Sequence, residues 1–213
     1  MSCLDSALAQ PGALKYFNEG RLNITTMIGK TASLCLAFAV VALVAMASAC
    51  HAKLDGVPVR NTGHYATIDT ERGTVVIELY PSVAPKTVDN FETLVKKGFY
   101  NGLTFHRVVP DFVVQGGDPD GTGSGGPGYT VPAEIVPTEK HLRGSVATAR
   151  TSDQVNPDRA SSGSQFYICL EPQPGLDGQY TIFGGVISGM EVVDQIQKGD
   201  RMKTITLSST PPK

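Results

Sequence analysis

From Tyr65 to Leu207 the chain is cut into short β-type stretches by closely spaced turn signals, which restricts it to folds made of many short strands. Tyr65-Ala66-Thr67-Ile68-Asp69 and Thr74-Val75-Val76-Ile77-Glu78-Leu79 flank Glu71-Arg72-Gly73, the pattern of a hairpin. Val108 to Gln115 is a further β segment, broken at Pro110-Asp111, and Ser145–Ala149, Gln165–Leu170, Tyr180–Ile187 and Lys203–Leu207 follow. The Tyr180–Ile187 segment carries a Gly184-Gly185 kink. Only two stretches have helical spacing. Pro85 opens one, with Val88, Phe91, Leu94 and Val95 on a single face and Gly98 closing it. Met190, Val193 and Ile196 mark a shorter one ended by Gly199. The 23 Gly and 14 Pro fit so many turns. The class is therefore mainly β, an antiparallel barrel or a sandwich, and periodicity does not choose between them.

The N-terminal region reads differently. Leu34 to Ala49 is apolar except for Ser48, Lys30 precedes it, and Ala47-Ser48-Ala49-Cys50 closes it. A basic start, an apolar middle and a small-residue end make a secretory signal. Met27 is well placed as the initiator, which makes 1–26 a leader outside the fold, 27–49 the signal or membrane anchor and 50–63 a linker. The domain itself is expected over 64–208, with 209–213 a tail. Cys50 after small residues resembles a lipoprotein processing site, although Ala47 stands where such sites usually have Leu. Acylation of Cys50, plain cleavage after Ala49 and an uncleaved anchor all remain open. Each places the body outside the cytoplasm, in the periplasm or cell envelope.

Composition excludes several functions. A net charge of −2 offers no basic footprint for nucleic acid. Cys3, Cys35, Cys50 and Cys169 form no pair with zinc-ligand spacing, and Cys169 reads as a buried small hydrophobe. Gly121 to Gly126 satisfies a dinucleotide-type glycine pattern, but Pro127-Gly128 follows where a helix would be required. Asp118-Pro119-Asp120 hints at a calcium loop, yet its twelfth position is Tyr129 rather than Glu.

Three stretches carry chemistry: Phe105-His106-Arg107 running on to Phe112-Val113-Val114-Gln115-Gly116-Gly117-Asp118, then Ser164-Gln165-Phe166-Tyr167, then Leu176-Asp177-Gly178-Gln179-Tyr180. In order and separation they resemble the cyclophilin family of peptidyl-prolyl isomerases. The resemblance runs from about Tyr65 to Leu207. It implies a closed eight-stranded antiparallel β-barrel capped by two α-helices, a cofactor-free isomerase, and proline-containing polypeptides as partners. By the same resemblance Arg107 is the catalytic arginine, Gln165 and His106 stand with it, and Gln115 orients it or binds substrate backbone. Phe112, Val113, Tyr167 and Leu176 match the proline pocket, with Val113 and Tyr167 departing from the commoner Met and Phe. Ala149 and Arg150 match the strand that receives the residues before proline, Arg150 replacing an Asn, and Tyr180 replaces a His on the pocket wall. Gly175 stands where many members have a Trp that helps to hold cyclosporin, so weak inhibition by cyclosporin is expected.

The residue types suit that chemistry. Partial double-bond character gives an X–Pro bond a rotation barrier of about 18–20 kcal/mol. A catalyst needs an apolar slot for the ring and a donor aimed at the prolyl nitrogen, which becomes a better acceptor as the bond twists. An arginine supplies a rigid fork of such donors. The contending reading is a module that binds proline segments without turning them over, which would have no need of Arg107. A lipocalin-like carrier is disfavoured because no ligand motif accompanies the strands. A monomeric body is expected.

Overall fold

In a computed structural model the described residues are 56–212. The apolar run, Cys50 and the proposed processing site lie outside them. Among the described residues no helix is long and apolar enough to cross a membrane.

Eight strands form one curled antiparallel sheet, and β5 (Thr130–Val131) pairs separately with β7 (Ser161–Ser162). The first hairpin joins β1 (Tyr65–Thr70) to β2 (Thr74–Leu79), with the turn closed by a Thr70 N–H to Gly73 O bond of 2.9 Å. β3 (Arg107–Val109) and β4 (Val113–Gly116) are the two halves of the segment that the sequence breaks at Pro110-Asp111, and Asp111 has a φ of +58°. β6 (Ser145–Thr148), β8 (Phe166–Cys169), β9 (Ile182–Ser188) and β10 (Met202–Ser208) complete the sheet, whose strand order is β10-β1-β2-β9-β6-β8-β4-β3.

The expected closure into a barrel is not present as a ladder between the outer strands β3 and β10. β3 is only three residues long. The segments that lead into the two strands do meet: Gly102 N–H donates to Met202 O at 2.7 Å, Met202 N–H to Leu103 O at 2.9 Å, and Phe105 N–H to Asp200 O at 2.9 Å.

Helix α1 (Pro85–Lys96) buries Val88, Phe91, Leu94 and Val95, the face that its spacing predicts. Phe91 meets Tyr100, Phe166 and Phe183 with ring centroids 5.2–5.8 Å apart. The first turn of α1 is satisfied from afar, since Glu134 accepts the N–H groups of Lys86 (3.0 Å) and Thr87 (2.8 Å). The second helix is one turn, α2 (Met190–Val193), shorter than the spacing out to Ile196 suggests.

Side chains alternate across each strand, and here both faces are buried. Val114, Val146, Phe166 and Ile168 enter the main core with Ile68, Ile77 and Leu79. Val113, Ala147, Tyr167, Cys169 and Ile182 form a second cluster on the opposite face, with Phe112, Ala149, Leu176 and Tyr180 packed against it. Burial pushes the Cys169 thiol up to about 12, which fits an inert core position.

Residues 57–62 do not trail freely into the domain. Glu78 is fully buried and accepts the backbone N–H groups of Arg60 and Thr62, both at 2.7 Å. The Arg60 guanidinium lies 4.0 Å from the centroid of Tyr80 and pairs through both terminal nitrogens with Glu139 (3.1 and 2.6 Å). Gly184-Gly185, expected as a kink, has a packing reason. A Cβ on Gly185 would overlap Val57 and the Tyr80 hydroxyl, and one on Gly184 would press on the backbone of Glu78.

Candidate active site

Strand register builds the site. Arg107 pairs with Gln115 across β3 and β4, Gln115 with Tyr167 across β4 and β8, and Tyr167 with Ala147 across β8 and β6. Residues directly opposite share a face, so these four make a row across the second, outward cluster. A cavity of about 220 Å³ opens on that row. Its apolar lining is Phe112, Val113, Ala149 and Leu176, with the rings of Tyr167 and Tyr180. Arg107, Gln115 and Arg150 supply its polar rim. Every residue that the sequence assigns to substrate binding therefore meets at one slot.

Arg107 is exposed, its guanidinium carbon is 5.4 Å from the Phe112 ring centroid, and Nη1 donates to Gln115 Oε1 at 3.2 Å. Among the described residues no carboxylate pairs with it. Gln115 in turn donates through Nε2 to Gln165 Oε1 at 3.0 Å. Gln165 itself, 5% exposed, lies beside the slot rather than in its lining, and borders a larger groove of about 870 Å³. Arg150 behaves differently from a free substrate contact. It lies 4.7 Å from the Tyr180 ring centroid and donates to Gln179 O and to the Asp153 carboxylate.

His106 does not line the slot. It immediately precedes Arg107 at the start of β3, and neighbouring residues of an extended segment face opposite ways. Its ring is buried (8% exposed), both ring nitrogens lack partners among the described residues, and a Cβ on Gly123 would lie 3.9 Å from it.

The combination decides the matter together with likeness. The family model described as "Cyclophilin type peptidyl-prolyl cis-trans isomerase/CLD" matches residues 65–211. The chain belongs to the cyclophilin family. Among its relatives, a peptidyl-prolyl cis-trans isomerase of Helicobacter pylori is 46% identical over 149 residues, 68% of this chain and 88% of that protein. Peptidyl-prolyl cis-trans isomerase B of Bacillus subtilis is 48% identical over 145 residues, 68% of this chain and 96% of that protein. A solved cyclophilin type isomerase of Cryptosporidium parvum superposes with a TM-score of 0.64 at 33% identity, covering 70% of this chain and 99% of its own. A second structure of it, obtained in the presence of the dipeptide Ala-Pro, gives a TM-score of 0.62 at 32% identity, over 68% of this chain and 99% of that one. The chain is thus an enzyme, a peptidyl-prolyl cis-trans isomerase.

Behind the slot this cyclophilin has a chain of polar groups that its sequence did not disclose. His141 has a fully buried side chain, with Nδ1 3.1 Å from Asp177 Oδ1 and Nε2 3.0 Å from the Tyr167 hydroxyl. A carboxylate only accepts, so Nδ1 carries the hydrogen and a neutral Nε2 accepts from Tyr167. The hydroxyl that distinguishes Tyr167 from Phe is thereby turned to the protein and leaves its ring to the slot. The single signal was the pairing of a Tyr at 167 with a His at 141, which no local pattern links.

Burial holds His141 below the ordinary histidine range against the pull of Asp177, and holds His106 below it against Asp118. Each therefore takes up its proton at a lower pH in the fold than in the unfolded chain. Their contribution is complete above the unfolded value of about 6.5 and declines as pH falls below it. The melting temperature is expected to drop between about pH 7 and 5, and His106→Leu should flatten that slope in calorimetric scans. A flat profile for the unmodified protein would count against neutral histidines.

Proposed function

We propose that Arg107 is the group that accelerates rotation, acting on a prolyl ring seated in the slot between Phe112, Val113, Tyr167 and Leu176. The observation that carries this reading is a guanidinium fork without a carboxylate partner among the described residues, held by Gln115 at the mouth of an apolar hollow. Twisting the amide breaks its resonance and returns a lone pair to the prolyl nitrogen. A donor fixed at that place stabilises the twisted amide more than either planar form, which is the requirement for catalysis. Ala149 and the Arg150 backbone would meet the residues before proline, and Tyr180, braced by Arg150, would wall the slot. His106 supports the strand from behind. No metal or cofactor enters the step. The test is magnetisation exchange in a short Ala-Pro peptide with catalytic amounts of protein. Exchange no faster than in buffer defeats the reading.

Clients are unfolded or folding polypeptides with X–Pro bonds, and we take them to be exported ones. What supports this is the sequence Lys30, Leu34–Ala49, Cys50, with body and signal joined by few residues. The protein would then work in the periplasm or envelope, lipid-anchored if Cys50 is acylated, and as a monomer. Mass spectrometry of the mature N-terminus tests this, and a chain retaining residue 30 would overturn both cleavage routes. The sheet is taken to function as a barrel, supported by the backbone bonds between residues 102–105 and 199–202. Cyclosporin should bind weakly, because Gly175 leaves open space where a large side chain would contact it. Tight inhibition by that peptide would contradict this part.

A further inference from the structure

We infer that Asp118 is a positioning residue for Arg107, acting through the glycine-rich loop and two glutamine amides. The inference rests on the reading of Arg107 as the rotation catalyst. Asp118 is 1% exposed, and its carboxylate accepts the N–H groups of Asp120 (2.8 Å), Gly123 (2.5 Å) and Gly125 (3.2 Å), with the Thr122 hydroxyl at 3.5 Å. Burial pushes this carboxyl up, but the three N–H bonds prevail and leave it below the usual carboxylate value. Five of the eight residues from 121 to 128 are glycine, with Thr122, Ser124 and Pro127 between them, and such a loop has little conformational preference of its own. Asp118 therefore fixes its course.

The consequence is directional. With the loop fixed, the carbonyls of Gly123 and Gly125 both face Gln165 Nε2, at 3.1 and 2.8 Å. That pins the Gln165 amide, so its Oε1 must face Gln115 Nε2. The Gln115 amide is then pinned too, and presents Oε1 to the guanidinium. Each amide has its acceptor on the Arg107 side and its donor on the loop side. An amide released at the loop end is free to flip, and a flipped Gln115 would set an NH2 group against a guanidinium that only donates. A carboxylate four hydrogen bonds away thus decides whether the fork is held or repelled.

The test is a double-mutant cycle on kcat and KM for an Ala-Pro peptide. Asp118→Asn replaces one acceptor oxygen by a donor facing N–H groups. Gly125→Ala forces a methyl group into the Asp118 carboxylate while leaving every charge in place, so it serves where Asp118→Asn does not fold. Either change is expected to lower kcat roughly tenfold with KM held within about twofold, as displacement of a catalytic group does. On an Arg107→Ala background Asp118→Asn should have no further effect. A folded Asp118→Asn protein with unchanged kcat overturns the inference, as does an equal loss in the Arg107→Ala background. If Arg107→Ala alone retains full rate, the reading of Arg107 fails, and the positioning role falls with it.

Discussion

Replacement of Arg107 by alanine is expected to lower kcat/KM by roughly a hundredfold or more, the effect of removing a donor aimed at charge that develops only in the transition state. A hundredfold loss corresponds to about 2.7 kcal/mol. Binding should be nearly retained, because the ring is held by Phe112, Val113, Leu176 and Tyr167, none of which needs the guanidinium. The loss should therefore fall on kcat. Arg107→Lys should recover only part of it. A lysine keeps the charge but has no planar fork, so it cannot hold the Gln115 carbonyl and present a second N–H in a fixed plane. Exchange spectroscopy gives the rate and a peptide titration gives affinity on the same samples. An alanine variant that binds poorly and turns over normally when saturated would identify Arg107 as a binding residue and move the catalytic role elsewhere.

Parts of this arrangement are legible in the sequence because they depend on neighbours in the chain. The Phe112–Gln115 stretch shows its alternation directly, and that alternation sends Val113 and Gln115 to the slot face and Val114 to the core. The α1 face is equally local. The parts that were hidden depend on pairs distant in sequence. Glu134 caps α1 from a separate loop, so the start of the helix carries no capping side chain of its own. His106 adjoins Arg107 in sequence but is on the opposite side of the strand, so proximity in a motif did not mean proximity in the site. What Arg150 does depends on Asp153, Gln179 and Tyr180, which only the folded loop brings to it. Periodicity likewise could not tell a barrel from a sandwich. That choice lies in which strands pair, and β2 pairs with β9 across more than a hundred residues.

The boundary of the folded body is the hidden feature with the largest thermodynamic consequence. Residues 50–63 read as a linker since they mix polar residues with Gly and Pro, and a body starting at His64 would then be complete. A chain starting at His64 is instead expected to melt about 10 °C below one starting at Gly56, a difference of roughly 3 kcal/mol for a domain of this size. The carboxylate of Glu78 is the reason. It projects from β2 beneath residues 57–62, and two backbone N–H groups of that segment are its hydrogen-bond partners. Without them a buried acceptor loses bonds that are each worth about 1.5–3 kcal/mol when one partner is charged. The Arg60 pair with Glu139 adds less, being partly exposed. Water entering the vacated place offsets some of the cost, so Glu78→Gln in the chain starting at Gly56, which keeps the segment in place but mismatches one N–H, should show a smaller loss. Thermal scans of the three proteins at one pH decide the point. Equal melting of the chains starting at Gly56 and His64 would mean that the segment only rests on the body, and that Glu78 finds its partners elsewhere.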